Sequence, residues 1–300
     1  MNIAKHLERL TVSDGKGFDL ASMPCSLDID KEERPALEGI LAVNKARIAE
    51  LQDKLYADAH EGVVIIFQAM DAAGKDSTIR HVLGGINPTG IDVRSFKQPS
   101  EEELAHGFLW RTFSALPRRG KIAVLNRSYY EECLVVRVRE LWRSYRMPKR
   151  CLNMGEKRYF EDRFEDIRAF ERYLSRMGFR VVKIFLNVSA DKQKERFLER
   201  IDNEAKNWKF SESDLSERVR WDDYQRAYEE MIAGTATRHA PWYAIPADQK
   251  WVARALVSQI LRDVLEDIDP RYPDLPDEQK ARLSTCRELL TDGPAADVDH

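Results

Sequence analysis

An α/β fold, with a parallel sheet covered by helices on both faces, is predicted by two observations. Five apolar, strand-like runs alternate with segments of helical period, and such alternation is wound into a parallel sheet through right-handed crossovers. The first run also ends in a small-residue turn followed at once by a lysine and helix-compatible residues, VVIIFQAMDAAGKDST from Val63 to Thr78. Strand, tight loop, Gly-Lys and helix in that order build a phosphate-binding loop, because the turn and the helix N-terminus aim backbone N–H groups at an anion and the lysine adds a point charge.

Residues 1–34 read as an extended N-terminal arm, since polar and apolar positions mix without a period and Gly15, Gly17 and Pro24 interrupt them. From Pro35, Leu37, Ile40, Leu41, Ile48, Leu51 and Leu55 recur at helical spacing up to Tyr56. Strands are expected at Val63–Gln68, Asp92–Phe96, Lys121–Leu125, Val181–Asn187 and Trp242–Ile245. Between and after them, helices are expected at Lys75–Leu83, Glu101–Leu116, Tyr129–Val138, Glu156–Met177, Lys192–Ile201, Ser216–Ala233 and Trp251–Leu265. One domain over 35–268 accounts for all of these. Residues 269–300, with Pro273, Pro276, Pro294 and an acidic end, read as a polar tail with one short helix.

The bulk properties exclude several classes of partner. One third of the 300 residues are charged, yet the net charge is only −3, so no overall basic field advertises nucleic acid or an anionic membrane. Cys25, Cys133, Cys151 and Cys286 have neither CxxC nor metal-finger spacing, the pattern of a reduced, cytoplasmic chain. MNIAKHLERL lacks an apolar signal core, and no run has the length needed to span a bilayer.

In the loop, Ala69 stands where the usual motif has glycine and Asp76 where it has Ser or Thr. Ala72, Ala73, Gly74, Lys75 and Asp76 are the candidate phosphate-binding residues, and the competing reading is a plain tight turn with a solvated lysine. Asp71, Asp76 and Glu131 are the carboxylates near predicted strand ends, where ligands gather in open α/β sheets. As hard oxygen donors they suit Mg²⁺, with Mn²⁺ as the alternative. The third strand ends in Asn126-Arg127-Ser128. Asn126 occupies a position where many phosphate-loop enzymes carry aspartate, and Arg127 has the fork geometry to hold two phosphate oxygens. Taken alone, that segment reads equally well as a Ser128 helix cap behind a surface arginine.

Two basic segments have paired readings. Lys206 and Lys209 flank Trp208 in a stretch without core pattern, a suitable place for groups that close over an anion. From Arg137 to Arg150 there are six Lys or Arg against the single acid Glu140, with Trp142 and Tyr145 interleaved. That run either lengthens a groove for a polyanion or is a packed insertion or subunit contact. Arg196 and Arg200, with Glu195 and Glu199, read as stripes that stabilise one helix, and Tyr224 and Tyr228 read as core or element-end aromatics.

In order along the chain, AMDAAGKDSTIRHV, GINPTGIDVRSFKQPSEEELAHGFLWR, LNRSYYEECLVVRV, ERIDNEAKNWKF, SERVRWDDYQRAYEEMI and APWYAIPADQKW resemble the polyphosphate kinase 2 family, from about Leu37 to Leu265. The resemblance implies a three-layer, thymidylate-kinase-like P-loop fold that moves a phosphoryl group between inorganic polyphosphate and a nucleotide, using Mg²⁺. It assigns phosphate-loop roles to Asp71, Gly74, Lys75 and Asp76, second-motif roles to Asn126, Arg127 and Glu131, a phosphate contact to Arg137, and a helical lid to about 202–216. Asn126 and Glu131 resemble the subgroup that accepts both nucleoside mono- and diphosphates (AMP/ADP, GMP/GDP). The basic insertion, about 139–158, is a departure from that pattern. The expected partners are polyphosphate, these nucleotides and further copies of the chain as a dimer or tetramer. From the residues alone, an ATP-dependent nucleoside monophosphate or sugar kinase, or a nucleotide- or nucleic-acid-binding regulator, remains open.

Overall fold

In a computed structural model that describes residues 3–292, the strands Thr11–Val12 (β1), Gly62–Gln68 (β2), Ile91–Ser95 (β3), Ile122–Asn126 (β4), Phe179–Asn187 (β5) and Trp242–Pro246 (β6) form one sheet in the order β1-β6-β5-β2-β4-β3. All pairs are parallel except the short β1 against β6. Every residue of β2 is buried, which is why it reads as an unbroken apolar run: a parallel strand covered on both faces has no solvent side to leave polar. β2 lies between β4 and β5, with Phe67 opposite Asn126 and Gln68 opposite Phe185. The C-terminal ends of these three strands therefore open on one edge.

The helices, in chain order, are Ile3–Leu10 (α1), Arg34–Asp58 (α2), Lys75–Val82 (α3), Glu101–Ala105 (α4), Trp110–Phe113 (α5), Val135–Val138 (α6), Lys149–Leu152 (α7), Glu156–Arg176 (α8), Ala190–Asp202 (α9), Glu204–Asn207 (α10), Glu212–Arg218 (α11), Trp221–Thr235 (α12), Lys250–Ile268 (α13) and Asp277–Asp292 (α14). α13 packs on α2 and α3, and α8 on α12 and β5, so helices flank the sheet as the alternating pattern requires. Val63 and Ile65 of β2 line one small apolar space with Ile48 of α2 and Leu261 and Leu265 of α13. Among the described residues no helix is long and apolar enough to cross a membrane.

Four expectations are corrected. The arm is not extended: Ile3, Leu7 and Leu10 form a buried stripe on α1, which packs on α13 and β6, and β1 adds a sixth strand. An eight-residue helix gives too few turns for its period to stand out. Residues 23–27 then lace over the strand ends, with Asn187 Nδ2 donating to Met23 O at 3.0 Å and Leu27 N to Gln249 Oε1 at 3.1 Å. The helix expected over Glu101–Leu116 is two short ones interrupted around Gly107, and Tyr129–Val138 starts as a 3₁₀ turn, Tyr129–Cys133, before α6. The tail carries a sixteen-residue helix, α14, while residues 1–2 of the arm and 293–300 of the tail lie outside the described residues.

The basic 139–158 segment turns its aromatics inward, Trp142 into the core and the half-buried Tyr145 against its edge. Trp142 is fully buried, stacked on Tyr159 at 4.7 Å, and Tyr145 donates to Glu132 at 2.9 Å. Neither is a surface platform on which a base could stack.

Candidate functional site

Six residues, 69–74, connect β2 to α3. Ala72 (φ 61°) and Gly74 (φ 107°) sit in the left-handed region, which turns the chain sharply enough to start a helix directly off a strand. No side chain caps the N-terminus of α3, so its leading amides are not taken up by a capping group. Lys75 Nζ donates to Ala69 O at 2.7 Å and to Met70 O at 3.4 Å, curling over the loop it belongs to.

The end of β4 meets this loop because β2 and β4 are neighbours in register. Arg127 also holds a left-handed backbone (φ 64°), pinned by its N–H to Phe67 O at 3.2 Å. A non-glycine residue held there stores strain, a cost typical of functional positions. Its guanidinium reaches Asp71 Oδ1 at 2.7 Å, and Asn126 Nδ2 reaches Asp76 Oδ1 at 2.7 Å. Asn126 Oδ1 is buried with no hydrogen-bond partner among the described residues. Loop and second motif are thus laced together by two side-chain bonds.

These charges perturb one another. Burial pushes the half-buried Lys75 ammonium down from its usual range and the neighbouring Arg127 adds to this, while Asp71, Glu131 and Asp76 oppose it. Burial pushes Glu131 up, against the pull of Arg127 and Lys75. Burial also works against the Arg127 cation, but Glu131 and Asp71 outweigh it and keep it charged. Cations and carboxylates gathered in one half-buried corner are a feature of sites that handle charge.

The residues that hold the loop's carbonyls from α9 were not legible as site residues in the sequence. Gln193 Nε2 donates to Asp71 O at 2.9 Å, and Arg196 NH1 to Ala72 O at 3.0 Å and Ala73 O at 2.7 Å. Arg196 is 5% exposed and bonded to the loop, so its reading as part of a stripe that only stabilises its own helix is corrected. The available signal was its position: Gln193, Arg196 and Phe197 share the buried stripe of α9, where polar residues need partners. Buried Tyr228 feels Glu131 and Asp71, and the carboxyl of Asp214 on α11 is raised by burial and by Asp71.

Three expected site residues are engaged elsewhere. Arg137 donates to Glu156 at 3.1 Å and Glu230 at 2.6 Å, and lies over the Phe160 ring. Lys206 pairs with Glu199, and Lys209 sits over the Trp208 ring at 4.9 Å.

Residues 31–273 match the family model "Polyphosphate kinase 2 (PPK2)". An ADP-polyphosphate phosphotransferase of Rhodopseudomonas palustris is 45% identical over 94% of this chain and 98% of its own length. An AMP/ADP-polyphosphate phosphotransferase of Meiothermus ruber is 44% identical over 80% of this chain and 85% of its own. The crystal structure of polyphosphate kinase 2 from Arthrobacter aurescens superposes with a TM-score of 0.82 at 34% identity, covering 95% of this chain and 97% of that one. With a P-loop strand-turn-helix, a laced second motif and a match over most of its length, the chain belongs to the polyphosphate kinase 2 family.

Proposed function

We propose that this chain transfers a phosphoryl group between inorganic polyphosphate and nucleoside mono- and diphosphates, AMP and ADP among them, as a cytoplasmic enzyme. The observation that carries the reading is the corner in which Lys75, Arg127 and the amides of the 72–75 loop meet Asp71 and Asp76 at the carboxyl edge of the sheet. Its relatives' names, ADP- and AMP/ADP-polyphosphate phosphotransferase, supply the donor and acceptors.

Phosphoryl transfer is mostly positioning and charge neutralisation. The loop amides and Lys75 hold the phosphate being transferred, and Arg127 draws off charge that develops on it. The acceptor nucleotide's phosphate is already an anion at neutral pH, so it attacks without a dedicated base; Asp71, held by Arg127, is the group placed to act as one if it is needed. Residues 202–216, carrying Lys206 and Lys209, act as the lid that excludes water. Arg137 is the phosphate contact assigned by family resemblance; to make it, the guanidinium must leave Glu156 or Glu230.

Asp71 and Asp76 each spend one oxygen on a neighbour, Arg127 or Asn126, and keep the other for a hard cation. Among the described residues no three His, Cys, Asp or Glu converge on a metal cage. That donor set fits Mg²⁺, or Mn²⁺ in its place, which takes one or two carboxylates and fills its shell with water and substrate phosphate. Asp71 and Asp76, with Glu131 behind them, would hold it. When bound it would neutralise negative charge on the phosphates.

The test offers the purified protein AMP, ADP, GMP and GDP with Mg²⁺ and either polyphosphate or ATP as sole donor. Polyphosphate-dependent formation of di- and triphosphates is expected. Turnover with ATP and none with polyphosphate would replace this reading by an ATP-dependent nucleotide kinase. Asn126→Asp should shift the AMP-to-ADP preference, because a carboxylate there repels an anionic acceptor where the amide does not.

A further inference from the structure

The carbonyl oxygens of three consecutive loop residues are all held by side chains of α9: Asp71 by Gln193, and Ala72 and Ala73 by Arg196. A trans peptide is planar, with its C=O and the next N–H pointing opposite ways. Holding the oxygens of 71, 72 and 73 therefore fixes the direction of the N–H groups of 72, 73 and 74. Arg196 is itself anchored on its other nitrogen, which donates to Ala247 O at 2.7 Å and Asp248 O at 3.1 Å after β6.

Gln193 has a different anchor. Its Oε1 accepts from Arg218 NH1 at 2.8 Å, and the same nitrogen donates to Ala190 O at 2.8 Å. Arg218 is the last residue of α11, the helix that carries the C-terminal end of the 202–216 segment. A guanidinium can only donate, so Arg218 forces the amide oxygen of Gln193 toward itself and the NH₂ toward Asp71 O. Without that donor the amide is free to flip, setting its oxygen against the Asp71 carbonyl.

We propose that Arg218 and Gln193 form a positioning relay that links the lid to the phosphate loop, so that the placement of α11 sets the peptide between Asp71 and Ala72. The inference rests on the phosphoryl-transfer reading above, with the lid at 202–216. Neither side chain touches the reacting atoms. Each acts through the orientation of a loop amide, where small misplacements cost rate heavily.

The test is a double-mutant cycle on the full chain with Arg218→Ala, Gln193→Met and both together, measuring kcat, KM for polyphosphate and the thermal midpoint. Trypsin cleavage after Lys206 and Lys209, with and without polyphosphate, reports the lid. Each single variant is expected to lose about tenfold or more in kcat, and the double variant to lose no more than the worse single one, since either break disconnects the same relay. Polyphosphate should protect the lid less in each variant than in the wild type. Arg218→Lys, which can still donate to Gln193, should recover part of the rate, a recovery that a packing role would not give. Additive losses, undiminished lid protection, or a rate loss that follows the thermal midpoint would overturn the relay. If buried Gln193→Met fails to fold, the half-exposed Arg218→Ala and Arg218→Lys pair decides on the same three readouts. A wild-type protein inert toward polyphosphate would fail the functional reading, whereas an active wild type with additive variants would fail the relay alone.

Discussion

Two lysines lie close to the sheet among carboxylates and aromatics, and they have opposite surroundings. Lys183, in the middle of β5, is fully buried and spends its three donors on Glu171 Oε2 at 2.8 Å, Thr235 O at 2.8 Å and Tyr130 OH at 3.1 Å. Glu171 in turn accepts from Tyr129 at 2.9 Å and Tyr130 at 2.7 Å. Every ammonium proton and both carboxylate oxygens are used, which is the condition under which a buried pair is tolerated. Lys75 is half-buried, has one short bond to its own loop and one long one, and faces a second cation, Arg127. The same contrast separates adjacent Glu132, filled by Tyr145, Tyr159 and Arg163, from Glu131, which faces Lys75 and Arg127. A charge whose bonding capacity is filled by the fold is architecture. One with unspent capacity beside like and unlike charges has been left for a ligand.

The largest effect expected from this contrast is on catalysis. Lys75→Ala should lower kcat/KM by about 10³-fold with an unchanged thermal midpoint, because the lost charge acts on the transition state and supports no core contact. Near-normal turnover would break the comparison at its functional end. At the structural end, Lys183→Met leaves Glu171 buried without its cation and should cost about 3–5 kcal/mol in urea unfolding, with Lys183→Met/Glu171→Leu costing less than that single change. A loss under about 1 kcal/mol would show that the pair is not held as charges. The smallest effect sharpens the metal assignment: Asp76→Ser should retain about tenfold more activity than Asp76→Ala, since a hydroxyl is the group ordinary loops place at this position. Equal activities would take Asp76 out of the metal site.

What was legible in the sequence follows from the range of the interaction. Strand, loop and lysine in Val63–Thr78 are local, so the loop and most of the strands could be read directly, whereas the strand order that sets β2 between β4 and β5 depends on long-range pairing and could not. The brace of Gln193 and Arg196 on the loop spans more than 120 residues, and its only trace is a polar pair on an apolar stripe. The arm was misread because α1 is stabilised by α13 and β6 rather than by its own length. Trp142 and Tyr145 were ambiguous because a basic run surrounds them, and packing against Tyr159 and Glu132 decided it.

The measurement that tests the contrast most directly is the thermal shift given by polyphosphate with Mg²⁺ in three proteins: wild type, Lys75→Ala and Lys183→Met. A ligand that binds only the native state stabilises it by about 2.7 kcal/mol at a hundredfold excess over Kd, whatever the starting stability. The wild type and Lys183→Met, the latter from a lower starting midpoint, should show the same stabilisation, and Lys75→Ala should show little. Equal stabilisation of Lys75→Ala and wild type would mean that the loop lysine does not hold phosphate, and would contradict the account.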